Sequence, residues 1–188
     1  MLSASDLRKN LKIEIDGLPW VITDFDFMKP GKGQAMYRCK MKNMITGSTM
    51  DRTYRSNDKF DKPDLDDRDV SFLYYDGNTY VFSDDKTFEE IYVTPEQVGD
   101  QAKFLIEDAK CTILLHNNQA IHVELPNFIE KQIQYTETAV RGDTTSNVLK
   151  PATVDGDIEV QVPLFVNQGD WIKIDTRSGE YSERIKKS

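Results

Sequence analysis

The sequence predicts an all-β protein with one short helix, organised as three consecutive small β-barrels. Short runs that alternate between apolar and polar residues dominate the chain, and tight-turn pairs such as Asp16-Gly17 separate them. Turns of this type need positive φ and are typical of β-hairpins. One helix start signal interrupts the strands, and 188 residues are enough for two to three small domains.

Four turns define the predicted hairpins. The first three separate adjacent runs of strand-like sequence, and the last precedes a final run. They are Asp16-Gly17 between 11–15 and 20–25, Asp76-Gly77 between 70–75 and 79–82, Asn117-Asn118 between 112–116 and 120–123, and Ser178-Gly179 before 181–185.

The predicted helix begins after Thr94, which is placed to cap it, with Pro95 at the first helical position and Gln97 at the third. Apolar residues then recur at spacings of three and four, which indicates one buried face: Val98, Ala102, Leu105, Ile106 and Ala109. A helix inside a strand-rich segment of this size fits an OB-like barrel, and it fits other small barrels too.

Two junctions divide the chain. The stretch from Lys59 to Asp64 is polar and contains Pro63, and Leu125-Pro126-Asn127 follows the third hairpin. We therefore predict domains at 1–64, 65–127 and 128–188.

Composition excludes several classes of protein. No run approaches the ~20 apolar residues of a membrane span, and the charged stretch Met1–Asn10 lacks the apolar core of a signal peptide. Cys39 and Cys111 are too few and too far apart for a disulfide framework or a zinc site. We expect a cytoplasmic protein with no metal and no bound cofactor. His116 and His122 flank a turn without a third ligand, so we interpret both as strand surface.

Charge is distributed unevenly along the chain. The net charge of −8 argues against a general polyanion binder. Residues 1–64, however, carry 12 lysines and arginines against 9 carboxylates, whereas residues 65–128 carry 4 against 13. Such polarity favours an oriented encounter with an anionic partner.

The stretch from Lys29 to Ala35 predicts a hairpin tip that carries Lys32 between Gly31 and Gly33. Two interpretations are open: an exposed lysine that aids solubility, or a cation on a narrow probe. Glycines let the tip approach another surface closely, and Pro30 stiffens the entry. The spacing of a phosphate-binding loop, Gly-x4-Gly-Lys-Ser/Thr, is absent.

The strand after this tip is basic. No carboxylate occurs between Phe27 and Met50, and strand alternation places Arg38, Lys40 and Lys42 on one face. Tyr37, Cys39 and Met41 then lie on the opposite face.

Catalytic patterns are weak, so we do not expect an enzyme. The carboxylates of 64–69 lack the central glycine and distal glutamate of a calcium loop, and no Ser/His/Asp or Cys/His set stands out. Near the end of the chain, Tyr181 and Arg184 have two open interpretations: stacking on and pairing with RNA, or ordinary β-surface.

Three stretches together carry a family resemblance. They are Lys29-Pro30-Gly31-Lys32-Gly33-Gln34-Ala35, the run Gly142-Asp143-Thr144, and the ending from Val162-Pro163-Leu164-Phe165-Val166 to Asp175-Thr176-Arg177-Ser178-Gly179-Glu180-Tyr181. Over essentially the whole chain, the sequence resembles the bacterial translation elongation factor P family.

This resemblance implies a KOW/SH3-like barrel followed by two OB-folds, in an L-shaped arrangement like that of tRNA. It implies a monomeric, non-catalytic factor that binds the ribosome between the peptidyl-tRNA and exit sites and relieves stalling at consecutive prolines. The alternatives are a paralogue of the factor, a generic RNA-binding barrel module, or an enzyme dependent on a carboxylate.

The resemblance also implies roles for particular residues. Lys32, with Pro30, Gly31 and Gly33, would approach the CCA end of peptidyl-tRNA, and a modifying enzyme would extend Lys32 by β-lysylation. Gly142, Asp143 and Thr144 would lie near the messenger RNA codon of the exit site, and Tyr181 and Arg184 near the ribosomal RNA of the small subunit. Arg38, Lys40 and Lys42 are our own candidates for contact with the tRNA backbone.

Overall fold

The computed structural model describes residues 1–139 and 147–187. It is all-β with one short α-helix, which confirms the predicted fold class. In chain order the strands are β1 Leu2–Ser3, β2 Lys12–Ile15, β3 Leu18–Met28, β4 Met36–Asn43, β5 Thr49–Arg55, β6 Lys59–Phe60, β7 Leu65–Tyr75, β8 Tyr80–Asp84, β9 Glu90–Val93, β10 Lys110–His116, β11 Gln119–Glu124, β12 Phe128–Thr136, β13 Leu149–Val154, β14 Ile158–Pro163, β15 Trp171–Asp175 and β16 Glu180–Ile185.

These strands form four sheets. Strands β2-β3-β4-β5 form a four-stranded meander, and β1 pairs with β6 beside it. Two five-stranded sheets follow, with the orders β11-β10-β7-β8-β9 and β14-β13-β12-β15-β16. Packing divides the described chain into two compact units: Met1–Asp67 with Leu114–His122, and the described part of Arg68–Ile113 with Val123–Ser188. The division at 1–64, 65–127 and 128–188 stays a prediction.

The predicted hairpin turns are present. Asp16 and Gly17 have φ of 52° and 74°, and Asn117 and Asn118 have φ of 48° and 64°. These left-handed angles give the twist that a two-residue hairpin needs. At the second turn, Asp76 Oδ1 accepts hydrogen bonds from the backbone amides of residues 78 and 79 at 2.8 and 2.7 Å.

The helix begins where the sequence predicts and ends earlier. Gln97 N donates to Thr94 Oγ1 at 3.4 Å, and Thr94 N donates to Gln97 Oε1 at 3.1 Å, so the two residues cap each other. The α-helix covers only Pro95–Val98, and a 3-10 segment continues over Gly99–Phe104. Gly99 has φ of 65°, an angle that breaks α-helical geometry and ends the predicted run well before Ala109.

The first unit has its own hydrophobic core. Its fully buried members come from the N-terminal turn, β2, β3, β4 and β6: Ala4, Leu7, Ile13, Ile22, Cys39, Met41 and Phe60. Cys39 and Met41 therefore face inward, as the alternation of β4 predicts. Their outward-facing neighbours on the same strand are left on the surface.

His116 does not occupy the strand surface, so that interpretation was wrong. The residue is 6% exposed, and its Nε2 lies 3.9 Å from Glu14 Oε2. The turn that follows it is tied to the first unit, because Asn117 N donates to the carbonyl of Asp64 at 3.2 Å. Glu14 lies far away in sequence, which is why the local pattern predicted surface. His122 is exposed.

Candidate functional site

The tip loop joins β3 to β4 and extends from Lys29 to Ala35. The last pair of the hairpin stem is Met28 opposite Met36, and Lys32 lies in the exposed centre of the loop. Within residues 1–139 and 147–187, no carboxylate lies within 4.0 Å of the Lys32 amine. The loop therefore presents a cation that is free to meet an external anion or to be modified.

Gly33 fixes the shape of this tip. Its φ is 149°, within the region that side chains other than hydrogen rarely adopt. A Cβ at this position would also meet Pro30 Cγ at 3.4 Å, whereas a Cβ at Gly31 would meet nothing within 4 Å. Gly33 is thus needed for the turn itself, and Gly31 keeps the tip narrow.

Aromatic side chains support the stem below the tip. Phe27 and Tyr37 are opposite each other in register, and their ring centroids are 5.2 Å apart. Phe25 also stacks on Tyr37, at 6.2 Å. Such ring pairs stabilise a hairpin beyond their buried area. The inward face of β3 and β4 therefore continues past the core as a stiff stem that carries the loop.

The basic face of β4 is present, but carboxylates of the neighbouring strands lie beside it. Arg38 is opposite Asp26, and Lys40 is opposite Asp24, on β3. On the other side, Lys40 is opposite Asp51 of β5. Residues opposite each other share one face, with Cβ atoms about 5 Å apart.

These carboxylates reduce the potential that β4 presents to an anion. The closest contact joins Arg38 Nη2 to Asp51 Oδ2 at 3.7 Å, with both side chains about half exposed. Lys42 is opposite Val21 and Thr49, so it alone of the three has no carboxylate opposite it. In the sequence, Asp26 and Asp51 lie at the two ends of the stretch without carboxylates. In the sheet, they lie beside β4, which is the middle of that stretch. The run Asp24-Phe25-Asp26-Phe27 alternates in the same way as β4, and this was the signal that sequence reasoning missed.

The two cysteines have no features of catalytic thiols. Both side chains are buried, and burial raises the pKa of Cys39 to about 11 and that of Cys111 to about 12. A thiol must ionise to act as a nucleophile or a metal ligand. Both cysteines therefore belong to the packing of the barrels.

Arg184 and Tyr181 lie on β16, and Arg184 already has partners. Its Nη1 lies 3.4 Å from the carbonyl of Phe165 and 3.5 Å from Asp170 Oδ2, and its guanidinium lies 5.1 Å from the centroid of the Phe165 ring. Tyr181 is half-buried, and burial is the largest factor that raises its pKa. The RNA contacts of these residues stay a prediction.

The motif around Asp175 forms a structured turn. Arg177 donates to Asp175 through Nε at 3.0 Å and Nη2 at 2.7 Å, and these bonds lead the effects that lower the pKa of Asp175 to about 2. Thr176 Oγ1 donates to the carbonyl of Pro126 at 2.6 Å. This part of the family-like ending therefore has a structural role that sequence reasoning did not assign. Gly142, Asp143 and Thr144 lie outside the described residues.

Other chemistry finds little support. In the described part of the chain, no three His, Cys, Asp or Glu side chains are grouped to hold a metal ion. No helix there is long and apolar enough to cross a membrane.

Three family models match the chain in succession. The elongation factor P KOW-like domain matches residues 3–60, the elongation factor P OB domain matches 65–123, and the C-terminal domain of elongation factor P matches 129–184. The chain belongs to the elongation factor P family.

Curated relatives agree over their full length. A protein of Desulfosudis oleivorans named elongation factor P is 50% identical over 187 residues, which cover 100% of both chains. One of Syntrophus aciditrophicus with the same name is 46% identical and covers 99% of this chain and 100% of its own. As a member of the elongation factor P family, the protein is a translation elongation factor with a ribosome-related role.

The fold has a solved counterpart outside the bacterial relatives. Eukaryotic translation initiation factor 5A from Methanococcus jannaschii superposes with a TM-score of 0.56 over 65% of this chain and 92% of that chain, at 21% identity. At this identity the likeness concerns the fold alone.

Proposed function

We propose that this elongation factor binds the ribosome between the peptidyl-tRNA and exit sites and promotes peptide-bond formation at consecutive prolines. Its action depends on the tip loop, where Lys32 would approach the CCA end of peptidyl-tRNA. The observation that carries the proposal is the exposed, unpaired Lys32 on a narrow loop with a stiff aromatic stem, in a chain of this family.

The proposed mechanism is positioning. Proline is a poor nucleophile and a conformationally restricted donor, so the reactants align badly. A cation held near the CCA end would restrict peptidyl-tRNA to reactive orientations, and orientation alone is a large source of rate acceleration. The factor supplies no nucleophile and no base in this mechanism, because the ribosome remains the catalyst.

The free amine of Lys32 is also suited to covalent extension. A lysine-modifying enzyme would transfer a β-lysyl group from an activated carboxyl donor to the neutral Nζ amine, which loses a proton as the activating group leaves. The amide formed at Nζ would carry a new amine further from the backbone. The reach of the tip would grow while its positive end is kept. Pro30, Gly31 and Gly33 would hold this extended side chain clear of the loop.

The remaining predicted contacts complete the proposal. Arg38, Lys40 and Lys42 would meet tRNA phosphates, with the carboxylates of β3 and β5 limiting their contribution. Residues 142–144 would lie near the messenger RNA codon of the exit site. Tyr181 and Arg184 would lie near ribosomal RNA of the small subunit.

The test is synthesis of a reporter with three consecutive prolines in a reconstituted translation system that lacks any proline-rescue factor. Three reactions are compared: no addition, this protein from its native source, and Lys32→Ala from the same source. We expect the protein to relieve the stall and the variant to give at least tenfold less relief. Intact-mass analysis of the native protein and of the variant then shows whether Lys32 carries an added group.

A reporter without prolines is the control, and all three reactions should translate it equally. Relief by Lys32→Ala equal to that by the parent protein would contradict the proposed role of the tip. A stall that neither protein changes, with ribosome binding intact, would favour the paralogue or the generic RNA-binding module.

A further inference from the structure

A basic pocket lies in the first unit, away from the sequence motifs described above. Its volume is about 430 Å³, and it is lined by Arg8, Lys9, Asn10, Leu11, Lys12, Lys62, Pro63 and Leu65. Four of these eight residues are cations, and none is a carboxylate. We call this site the 8–12/62–65 pocket.

The backbone brings the two segments of this pocket together. Leu7 is buried in the core, and Leu11 packs against the same core. The backbone segment between them, which carries Arg8 and Lys9, is therefore anchored at both ends. Asn10 N donates to the carbonyl of Ile22 at 2.7 Å. The second segment is aligned with β2 because Glu14 N donates to the carbonyl of Asp61 at 2.9 Å. Lys62 is the residue after Asp61, so this backbone hydrogen bond holds it near the start of β2.

The charges of the pocket are available to a ligand. Arg8, Lys9, Lys12 and Lys62 are exposed, and none of them has a carboxylate within 4.0 Å in the described part of the chain. Like charges placed together repel one another, so a bound anion would stabilise the arrangement.

Asp6 is one acidic neighbour of the pocket. Hydrogen bonds from Ser3 lower its pKa most, and the positive charges of Arg8 and Lys62 lower it further. Its Oδ2 accepts from Ser3 N at 2.8 Å and from Ser3 Oγ at 2.9 Å, so the carboxylate is engaged by the turn. Asp61 and Asp64 are also close along the chain, but neither lines the pocket, whose lining carries four cations and no carboxylate.

The composition of this pocket is not general to the molecule. A pocket of about 640 Å³ in the second unit is lined by Asp69, Asp85 and Glu124 with Lys110 as its cation. The cations of β4 have carboxylates opposite them on β3 and β5. The 8–12/62–65 pocket combines concavity, positive charge and an apolar floor formed by Leu11, Pro63 and Leu65.

These features match the chemistry of one nucleotide in an RNA chain. Backbone phosphates are recognised by lysine and arginine, and the apolar floor provides a surface for the sugar or base. We propose that the 8–12/62–65 pocket is a further RNA-binding site of the protein, separate from those named above, which takes the phosphodiester backbone of an RNA at one nucleotide. This inference rests on the proposed function in one respect, the ribosomal setting in which such an RNA would be met.

The test compares two double variants with the same net charge. Lys9→Gln with Lys62→Gln removes one cation from each segment of the pocket, and Lys86→Gln with Lys186→Gln removes two exposed cations of the second unit. Affinity for a short, labelled, single-stranded RNA is measured for each variant at several salt concentrations, with inorganic phosphate as a competitor in a separate series.

We expect the pocket variant to bind the RNA about tenfold more weakly at low salt. Its plot of log affinity against log salt concentration should have a slope shallower by about 1 to 2, because fewer counterions are released when fewer phosphates are contacted. The control variant should stay within about twofold of the parent protein. All three proteins should have the same thermal unfolding midpoint, since the substituted side chains are exposed.

Equal affinities and slopes for the two double variants would overturn the proposal, as would complete competition by low concentrations of inorganic phosphate, which would indicate a site for the free anion. The result is separable from the proposed function. Failure of proline rescue with RNA binding at the pocket intact contradicts the proposed function alone, and rescue by a protein whose double variants bind RNA equally contradicts the pocket alone.

Discussion

Two cationic regions of the first unit differ in how their charges are neutralised. On β4, Arg38 and Lys40 come from one alternating run, yet Asp24, Asp26 and Asp51 lie opposite them in the sheet. In the 8–12/62–65 pocket, the cations come from two distant segments, and no carboxylate lines the site. A basic pattern along one strand therefore does not by itself give a positive surface, because a sheet places residues of the neighbouring strands directly beside the cations of that strand.

Among the changes to β4, removal of the carboxylates beside its cations should have the largest effect on RNA affinity. Replacing Asp24, Asp26 and Asp51 by asparagine removes the carboxylates and keeps the size of each side chain. Exposed ion pairs are individually weak, so we expect the three changes together to raise RNA affinity by about fivefold to tenfold. The measurement is the dissociation constant for the labelled RNA at low salt, and the gain should shrink as salt rises.

The control for this variant is replacement of three carboxylates of the second unit, Glu96, Asp100 and Glu107, which changes the net charge by the same amount. An equal gain from both variants would mean that net charge alone matters and that the register of the sheet is irrelevant.

Removing the cations of β4 should have a smaller effect than removing those of the pocket. We expect the combined Arg38→Gln, Lys40→Gln and Lys42→Gln variant to lose only about threefold in affinity for the labelled RNA, because the neighbouring carboxylates already offset part of the attraction between these cations and RNA. The dissociation constant for that RNA at low salt checks this value. A loss larger than that of the Lys9 and Lys62 double variant would reverse the comparison.

The stability that comes from the two buried cysteines, Cys39 on β4 and Cys111 on β10, should depend on pH and not on RNA. Burial raises the pKa of Cys39 to about 11 and that of Cys111 to about 12, above the value of an exposed thiol. The folded state therefore holds these protons more tightly than the unfolded state. The resulting stability is fully present below about pH 9 and is lost as pH rises through the folded pKa values.

Alkylation with iodoacetamide measures this protection. At pH 8 the native protein should react at least about a hundredfold more slowly than the protein in denaturant, because reaction requires opening of the core. Bound RNA should leave the rate unchanged within about twofold. Fast labelling of Cys39 in the native protein would show that the inward face of β4 opens readily and that its register is not fixed.

The sequence predicted most of the local structure and less of the site. Turns such as Asp16-Gly17 and the cap formed by Thr94 and Gln97 depend on neighbouring residues, so they were predicted from the chain alone. The early end of the helix depends on the φ of Gly99, which the apolar spacing beyond it concealed. Burial of His116 depends on contact with a strand about a hundred residues earlier, which local patterns do not report.

The candidate site divides in the same way. The loop that carries Lys32 is a local feature, so its exposure was predicted from the sequence, whereas the particular need for Gly33 depends on its φ in the folded loop. The carboxylates beside Arg38 and Lys40, and the approach of Lys62 to Arg8, depend on register and chain path. The functional assignment of the tip came from family resemblance, since an exposed lysine between glycines has no unique chemical meaning.

The most direct test separates the action of the Lys32 tip loop from RNA binding at the 8–12/62–65 pocket. The rate of peptide-bond formation between two prolines is measured on stalled ribosomes at increasing concentrations of factor, for the parent protein, Lys32→Ala, and the Lys9→Gln with Lys62→Gln variant. We expect Lys32→Ala to lower the maximal rate about tenfold or more, with little change in the factor concentration that gives half of the maximal rate. The pocket variant should raise that concentration and keep the maximal rate. A pocket variant that lowers the maximal rate as much as Lys32→Ala would contradict the proposed separation of the two sites. A Lys32→Ala protein that reaches the maximal rate of the parent protein would contradict the proposed role of the tip.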